Sequence, residues 1–392
     1  MLHKINIPEL NRFALKWIML LQTGLITGLC KPEVTGLLVN PEWLYERVIH
    51  LGVDRTWFSR FCNWQIEGEH YTFLELAQTI ANYSPEIKNQ ILNGFKNNRH
   101  IEQSFESGTT PPHNLSQVRD FPDGLAKEVG KFFKQFYDPA LYRNYKILYN
   151  GHTLDFDHHR LVTEFKDSNC EIHVCPFCDG NPESTEIDHF YPKAHYPYLA
   201  CHPLNLTPIC GACNGPEGKG QVDPLDLDAF WQSADWFHPY LRPAYASEYR
   251  ITFERQKEGL TPALKSDDPQ TQRRLDNLMC WLKLCPRWRG ALKAEVNAVQ
   301  RYIHREKEKL GASSLNKDQL CAKLKDWAES AEDDIGLMPN SILKQAYLTQ
   351  AMQQVPMLFD ELWIFNNPEA EESQLKPPVV MPTEVPLERG DP

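Results

Sequence analysis

The chain has 392 residues, of which 42% are hydrophobic, 24% charged and 11% aromatic, enough apolar material for a real core, and this excludes a wholly disordered protein. Its 41 Lys and Arg against 52 Asp and Glu give a formal charge of -11, which excludes indiscriminate adhesion to polyanions and confines nucleic-acid contact to a local basic patch. The 11 cysteines fall far short of the density of a secreted disulfide scaffold and fit a reducing, cytoplasmic setting.

Residues 1–120 mix short amphipathic runs (LNRFALKWIMLL, PEWLYERVIHL, TFLELAQTIANY, PEIKNQILNGF) with Gly, Pro and Asn breaks. That pattern predicts a helical N-terminal domain, whose role is not legible. The apolar stretch Trp17 to Cys30 is too short for a bilayer span and is interrupted by Gln22 and two glycines, so it reads as a buried helix. Pro8 and Glu9 spoil a secretory leader, and no membrane association is expected.

Glu106 to Asp123 is rich in turn formers and reads as a linker. From Leu125 to Lys146 apolar residues return at helical spacing apart from a break at Asp138-Pro139, a helical preface to a central module spanning 125–225. In the region 226–366, Tyr249 to Leu264 alternates well enough for a short hairpin, with Glu258-Gly259 as the turn, and the remainder reads as helices. Within Lys283 to Lys309, eight Lys or Arg stand against three Glu. Trp288 and Tyr302 are interleaved there, which makes the stretch a candidate for nucleic-acid backbone contact beside the plainer reading of a solvated face. Residues 367–392 carry six prolines and few large apolar groups, the composition of a disordered tail. No G-x-x-x-x-G-K-[ST] phosphate loop occurs.

The informative segment is Cys175 to Gly220. Cys175 and Cys178 form one C-x-x-C, and Cys210 and Cys213 form another, with 31 residues between them. Four thiolates close a tetrahedral zinc shell with no open position, so such a zinc holds structure. Free buried cysteines or a redox pair are the plainer alternative. Between the pairs, Glu186 to Phe190 alternates as a strand, a loop runs to Pro203, and Leu204 to Ile209 forms a second apolar run before a turn into Asn214. The sketch is ββα.

These residues resemble the HNH nucleases, the zinc-stapled branch of the ββα-metal (His-Me finger) superfamily. The resemblance covers Cys175 to about Lys219 and rests on the Asp188-His189 pair, the Asn205-Leu206 pair and the C-x-x-C-N ending at Asn214. It implies a fold that is mainly α with a small α+β insert, the zinc-stapled module lying between helical regions. Phosphodiester cleavage needs a nucleophilic water, a cation at the scissile phosphate and a stabilised leaving group. His189 offers a neutral base near working pH. Asp188 and Asn214 offer oxygens suited to catalytic Mg2+ or Mn2+.

By the same resemblance Asn205 pins the loop that orients the base. Lys193, His195 and Lys219 are candidates for contact with substrate. The run Asp155, Asp157, His158, His159 could be read as a metal cluster, though consecutive polar residues in a loop are usually a solvated face. Asp188 and His189 are strand neighbours, which point to opposite faces, so serving one site requires a bend at the strand end.

The wording IDHFYPKAHYPYLACHPLNLTPICGACN, followed by Phe237 to Tyr240, is similar to the PtuB-type nuclease subunits of bacterial Septu anti-phage systems, some of them retron-associated. That resemblance covers about residues 125–310. It implies an anti-phage effector working with an ABC-type ATPase partner, in some cases beside a retron reverse transcriptase and its noncoding RNA. DNA is the expected substrate, with tRNA as the alternative. A non-catalytic zinc module that binds protein or nucleic acid remains the rival from another class.

Overall fold

Apolar residues recur along one stripe of the first amphipathic run, and it folds as α1 (Glu9–Leu29), burying Ala14, Leu15, Ile18, Leu21 and Leu25. The computed structural model describes residues 2–66, 68–97, 99–107, 125–182, 185–220, 222, 233–256, 259–310 and 317–353. Among these, the chain is mainly helical, with three small antiparallel two-stranded sheets.

Side-chain caps set where the next helices begin. Asn40 accepts from the Trp43 amide at the start of α2 (Pro41–Glu46), and Asp54 accepts from the Trp57 amide at the start of α3 (Arg55–Cys62). Thr72 and Glu75 form a reciprocal capping box at α4 (Phe73–Ala81). Helices α5 (Pro85–Asn97) and α6 (Ile101–Ser107) complete the N-terminal region.

The helical preface is shorter than its periodicity suggests. Helix α7 (Leu125–Lys134) is followed by a hairpin, β1 (Tyr145–Tyr149) against β2 (His152–Phe156). Its turn is Asn150-Gly151, with both φ angles positive at 50° and 79°, the geometry that favours Asn-Gly in two-residue hairpins. That dipeptide is the signal that outweighs helical spacing here. Asp157 then caps α8 (His158–Ser168) by accepting from the Arg160 amide.

The central hairpin pairs β3 (Thr185–His189) with β4 (Leu206–Cys210) and leads into the short α9 (Gly211–Asn214). A further hairpin, β5 (Arg250–Gln256) with β6 (Gly259–Lys265), precedes α10 (Pro269–Trp281), α11 (Leu284–Leu310), α12 (Lys317–Asp333) and α13 (Ser341–Gln353). The stretch expected as a tail, 367–392, lies outside the described residues, as does most of the expected linker.

Two apolar cores meet at the central hairpin. One unites α1 to α5 with α7, β1, β2 and α8 and reaches Ile187, Ala200 and Leu206. The other gathers Phe190, Tyr191, Ile209 and the four paired cysteines with Trp236, Trp281, Trp288 and the helices α10 to α13. All five residues of β4 are consequently buried, and the hairpin is clamped from both sides. No described helix is long and apolar enough to cross a membrane.

Candidate functional site

The register of the hairpin places Asp188 opposite Thr207 and His189 opposite Leu206, at the end of β3. As strand neighbours the two side chains leave on opposite sides, and they take different partners. His189 is buried and hydrogen-bonds through Nε2 to the carbonyl of Ala200 at 3.0 Å. A carbonyl only accepts, so Nε2 carries the proton and Nδ1 keeps its lone pair. Burial holds this imidazole well below its ordinary pKa, with Lys193 adding to the effect, so the ring is neutral. Tyr137 packs edge-on against it at 4.5 Å.

Asn205 fixes the loop that carries Ala200. Its Oδ1 accepts from the Tyr191 amide at 2.7 Å, while Nδ2 donates to the carbonyls of Tyr191 at 3.1 Å and Leu199 at 3.0 Å. Its own carbonyl accepts from the Phe190 amide at 2.8 Å. The side chain is fully buried and satisfied, so both ends of the loop are tied to one residue.

Asp188 is held by Lys219, whose Nζ donates to the two carboxylate oxygens at 2.9 and 2.7 Å and also to the carbonyl of His189. Burial pushes the Asp188 carboxyl above its ordinary pKa, and Lys219 opposes that shift. The glycine-rich stretch after Asn214 exists to deliver this lysine. A Cβ at Gly218 would collide with the carbonyl oxygens of Ala212 and Cys213, so only glycine lets the chain fold back over α9, where the Lys219 amide bonds the Cys213 carbonyl at 2.7 Å. Lys219, expected at the substrate, is thus buried inside the module, with Trp281 beneath its ammonium at 5.5 Å.

Asn214 donates its amide to Glu186. Glu186 stands two residues before Asp188 on β3, hence on the same face, and its charge acts on Asp188. Spacing alone could have flagged it, because a carboxylate at i-2 on a strand shares the site of the one at i. Glu186, Asp188 and the Oδ1 of Asn214 are oxygen donors of the kind Mg2+ or Mn2+ selects. Lys219 uses one lone pair on each Asp188 oxygen, so a cation would share that carboxylate with the ammonium.

The four paired cysteines converge. Their sulfurs all lie within 4.8 Å of one another, buried, with Cys175 to Cys213 at 4.0 Å and Cys178 to Cys210 at 3.9 Å. A tetrahedron of sulfurs about 2.3 Å from a central ion has edges of about 3.8 Å, so the quartet fits zinc. It could hold that ion between the loop before β3 and the helix after β4.

The remaining candidates are dispersed. Lys193 pairs with Asp138 and lies over the Tyr137 ring at 4.8 Å, while His195 sits half-buried on the loop, its amide bonded to the Pro192 carbonyl at 2.9 Å. Asp155 pairs with Lys146, Asp157 caps α8 and His158 stacks on Tyr142 at 4.5 Å, so these residues form no metal cluster. In the basic stretch, Lys283 donates to the Pro216 carbonyl at 2.8 Å and Arg289 to Thr261 at 3.1 Å. Trp288 is buried. Lys283 and Arg289 are therefore engaged in contacts within the chain, while Lys293, Arg301 and Arg305 are exposed.

No protein-family model matches the chain, and no solved structure does. A stretch of 67 residues is 43% identical to the protein Ea31 of Escherichia phage lambda, covering 17% of this chain and 21% of that protein. The match thus spans about a fifth of that relative's length, and its name states no activity.

Proposed function

We propose that the chain is a metal-dependent endonuclease of the HNH type, hydrolysing phosphodiester bonds in nucleic acid, with DNA as the first substrate. The observation that carries this reading is the state of His189: a neutral imidazole with Nε2 committed to Ala200, Nδ1 without a hydrogen-bond partner among the described residues, and a loop held by Asn205. His189 accepts a proton from the attacking water. A bound Mg2+ or Mn2+ supplies charge stabilisation at the phosphate. Glu186, Asp188 and Asn214 hold that cation, and the zinc quartet keeps the hairpin in register.

Two observations favour the rival, a non-catalytic zinc-stapled binding module: Lys219 already neutralises Asp188, and Asp188 and His189 leave β3 on opposite sides to different partners. An ATPase partner and a role in anti-phage defence follow from the resemblance to PtuB-type subunits and are proposed on that ground alone, consistent with the missing phosphate loop.

Supercoiled plasmid and tRNA, each offered to the purified chain with Mg2+ or Mn2+, separate the readings. Plasmid nicking that EDTA stops supports the DNA enzyme, and tRNA cleavage alone supports an RNase of the same design. Silence on both, also in the presence of an ABC-type ATPase of the PtuB-associated kind, supports the binding module.

A further inference from the structure

The turn Cys178-Asp179 is a meeting point for segments far apart in the chain. Arg287, in the first turn of α11, donates from Nη1 to Cys213 Sγ at 3.1 Å and from Nη2 to Cys178 Sγ at 3.3 Å, with Cys210 Sγ at 3.9 Å. The next residue, Trp288, donates from Nε1 to the Cys178 carbonyl at 3.0 Å. Asp179 Oδ2 accepts from the Ile342 amide at the start of α13 at 2.9 Å, and its Oδ1 pairs with the His3 ring at 2.7 Å.

Four thiolates around a divalent ion carry about two net negative charges. In a buried setting that charge needs a partner, and a guanidinium is the permanent, forked cation suited to bond two sulfurs at once. Metal binding requires the sulfurs to be deprotonated, which makes them charged acceptors. Beside the sulfurs, Arg287 also donates to the Leu282 carbonyl at 3.2 Å, and thiols are weaker acceptors than metal-bound thiolates. A half-buried guanidinium stripped of its acceptors is costly.

We propose that Arg287 is the counter-charge of the sulfur-ligated metal and couples metal occupancy to the docking of the C-terminal helices α10 to α13. The inference rests on the zinc reading of the four cysteines. It makes the knuckle more than a staple for the β3–β4 hairpin: the same ion holds the C-terminal helical region against the module, and its loss loosens α11 first. Arg287 here is a positioning residue, remote from the proposed reacting groups.

Hydrogen exchange on the full chain, zinc-loaded and zinc-stripped under reducing conditions, tests it with Arg287→Met and Arg287→Lys. In zinc-loaded Arg287→Met, exchange in residues 284–303 is expected to rise about tenfold or more, the loss of one or two charge-assisted hydrogen bonds, while β3 and β4 stay protected. Zinc transfer to a chelator is expected to quicken by a similar factor. Arg287→Lys, which keeps the charge and loses the fork, is expected to fall between and serves as the comparison if the Met variant does not fold. Wild-type exchange and zinc transfer in both variants would overturn the coupling alone. A wild-type chain that holds no zinc would overturn the zinc reading and the coupling with it.

Discussion

Lys219 grips both carboxylate oxygens of Asp188 at 2.9 and 2.7 Å, with the two side chains buried together beneath the hairpin. Removing one member of such a pair strands a buried charge, a loss of about 3–5 kcal/mol. Lys219→Met is therefore expected to lower stability in urea by that order, and Asp188→Asn with Lys219→Met to recover part of it. Equal stabilities for the single and double variants would show that the pair is not coupled.

Asn205 satisfies three loop groups with one amide, and apolar replacement leaves those groups buried without partners. Asn205→Ala is expected to destabilise the chain by about 2–4 kcal/mol, more than one lost hydrogen bond costs. Phosphodiester cleavage is expected to fall more steeply than folded fraction, because the Ala200 carbonyl that orients His189 rides on that loop. Circular dichroism melts run beside cleavage assays separate the two effects.

Burial holds His202 down to about 4 and His238 down to about 3, against an ordinary value of 6.5. Both are neutral in the fold and take up protons on unfolding, so their contribution to stability is full above pH 6.5 and is lost as pH falls toward about 4 and about 3. Urea midpoints measured from pH 7.5 to 4 are expected to decline below 6.5, and less so in His202→Gln. A midpoint flat to pH 4 would contradict the buried neutral assignment.

The zinc reading makes a compositional claim. Metal analysis of the reduced protein is expected to return about one zinc per chain, and Cys175→Ser to lose most of it. Chelation is expected to lower the melting temperature, since a structural site contributes its binding energy to folding.

Legibility in the sequence followed the range of the interactions. Helices α1, α2, α4 and α5 lie where amphipathic spacing and turn residues put them, and β3, β4 and the β5–β6 hairpin lie close to their alternating runs. The cysteine quartet was legible because each C-x-x-C is a local motif that brings two sulfurs together by itself. The β1–β2 hairpin was obscured because Tyr145 stands four residues after Leu141 and so continues a helical stripe as well as opening a strand, and Asn150-Gly151 decides the matter. The partners of Arg287 and Lys219 were out of reach for a different reason. Each finds its partners across the fold, Arg287 more than 70 residues from Cys213, and no local pattern encodes such a contact.

The central claim is that His189 takes the proton from water. Single-turnover cleavage of a labelled plasmid by wild type and by His189→Ala, matched for zinc content and melting temperature, tests it most directly. The wild type is expected to cut with Mg2+ or Mn2+ and the variant to be slower by about 10²–10⁴-fold, the range for a positioned general base. Equal rates in the two proteins would contradict it.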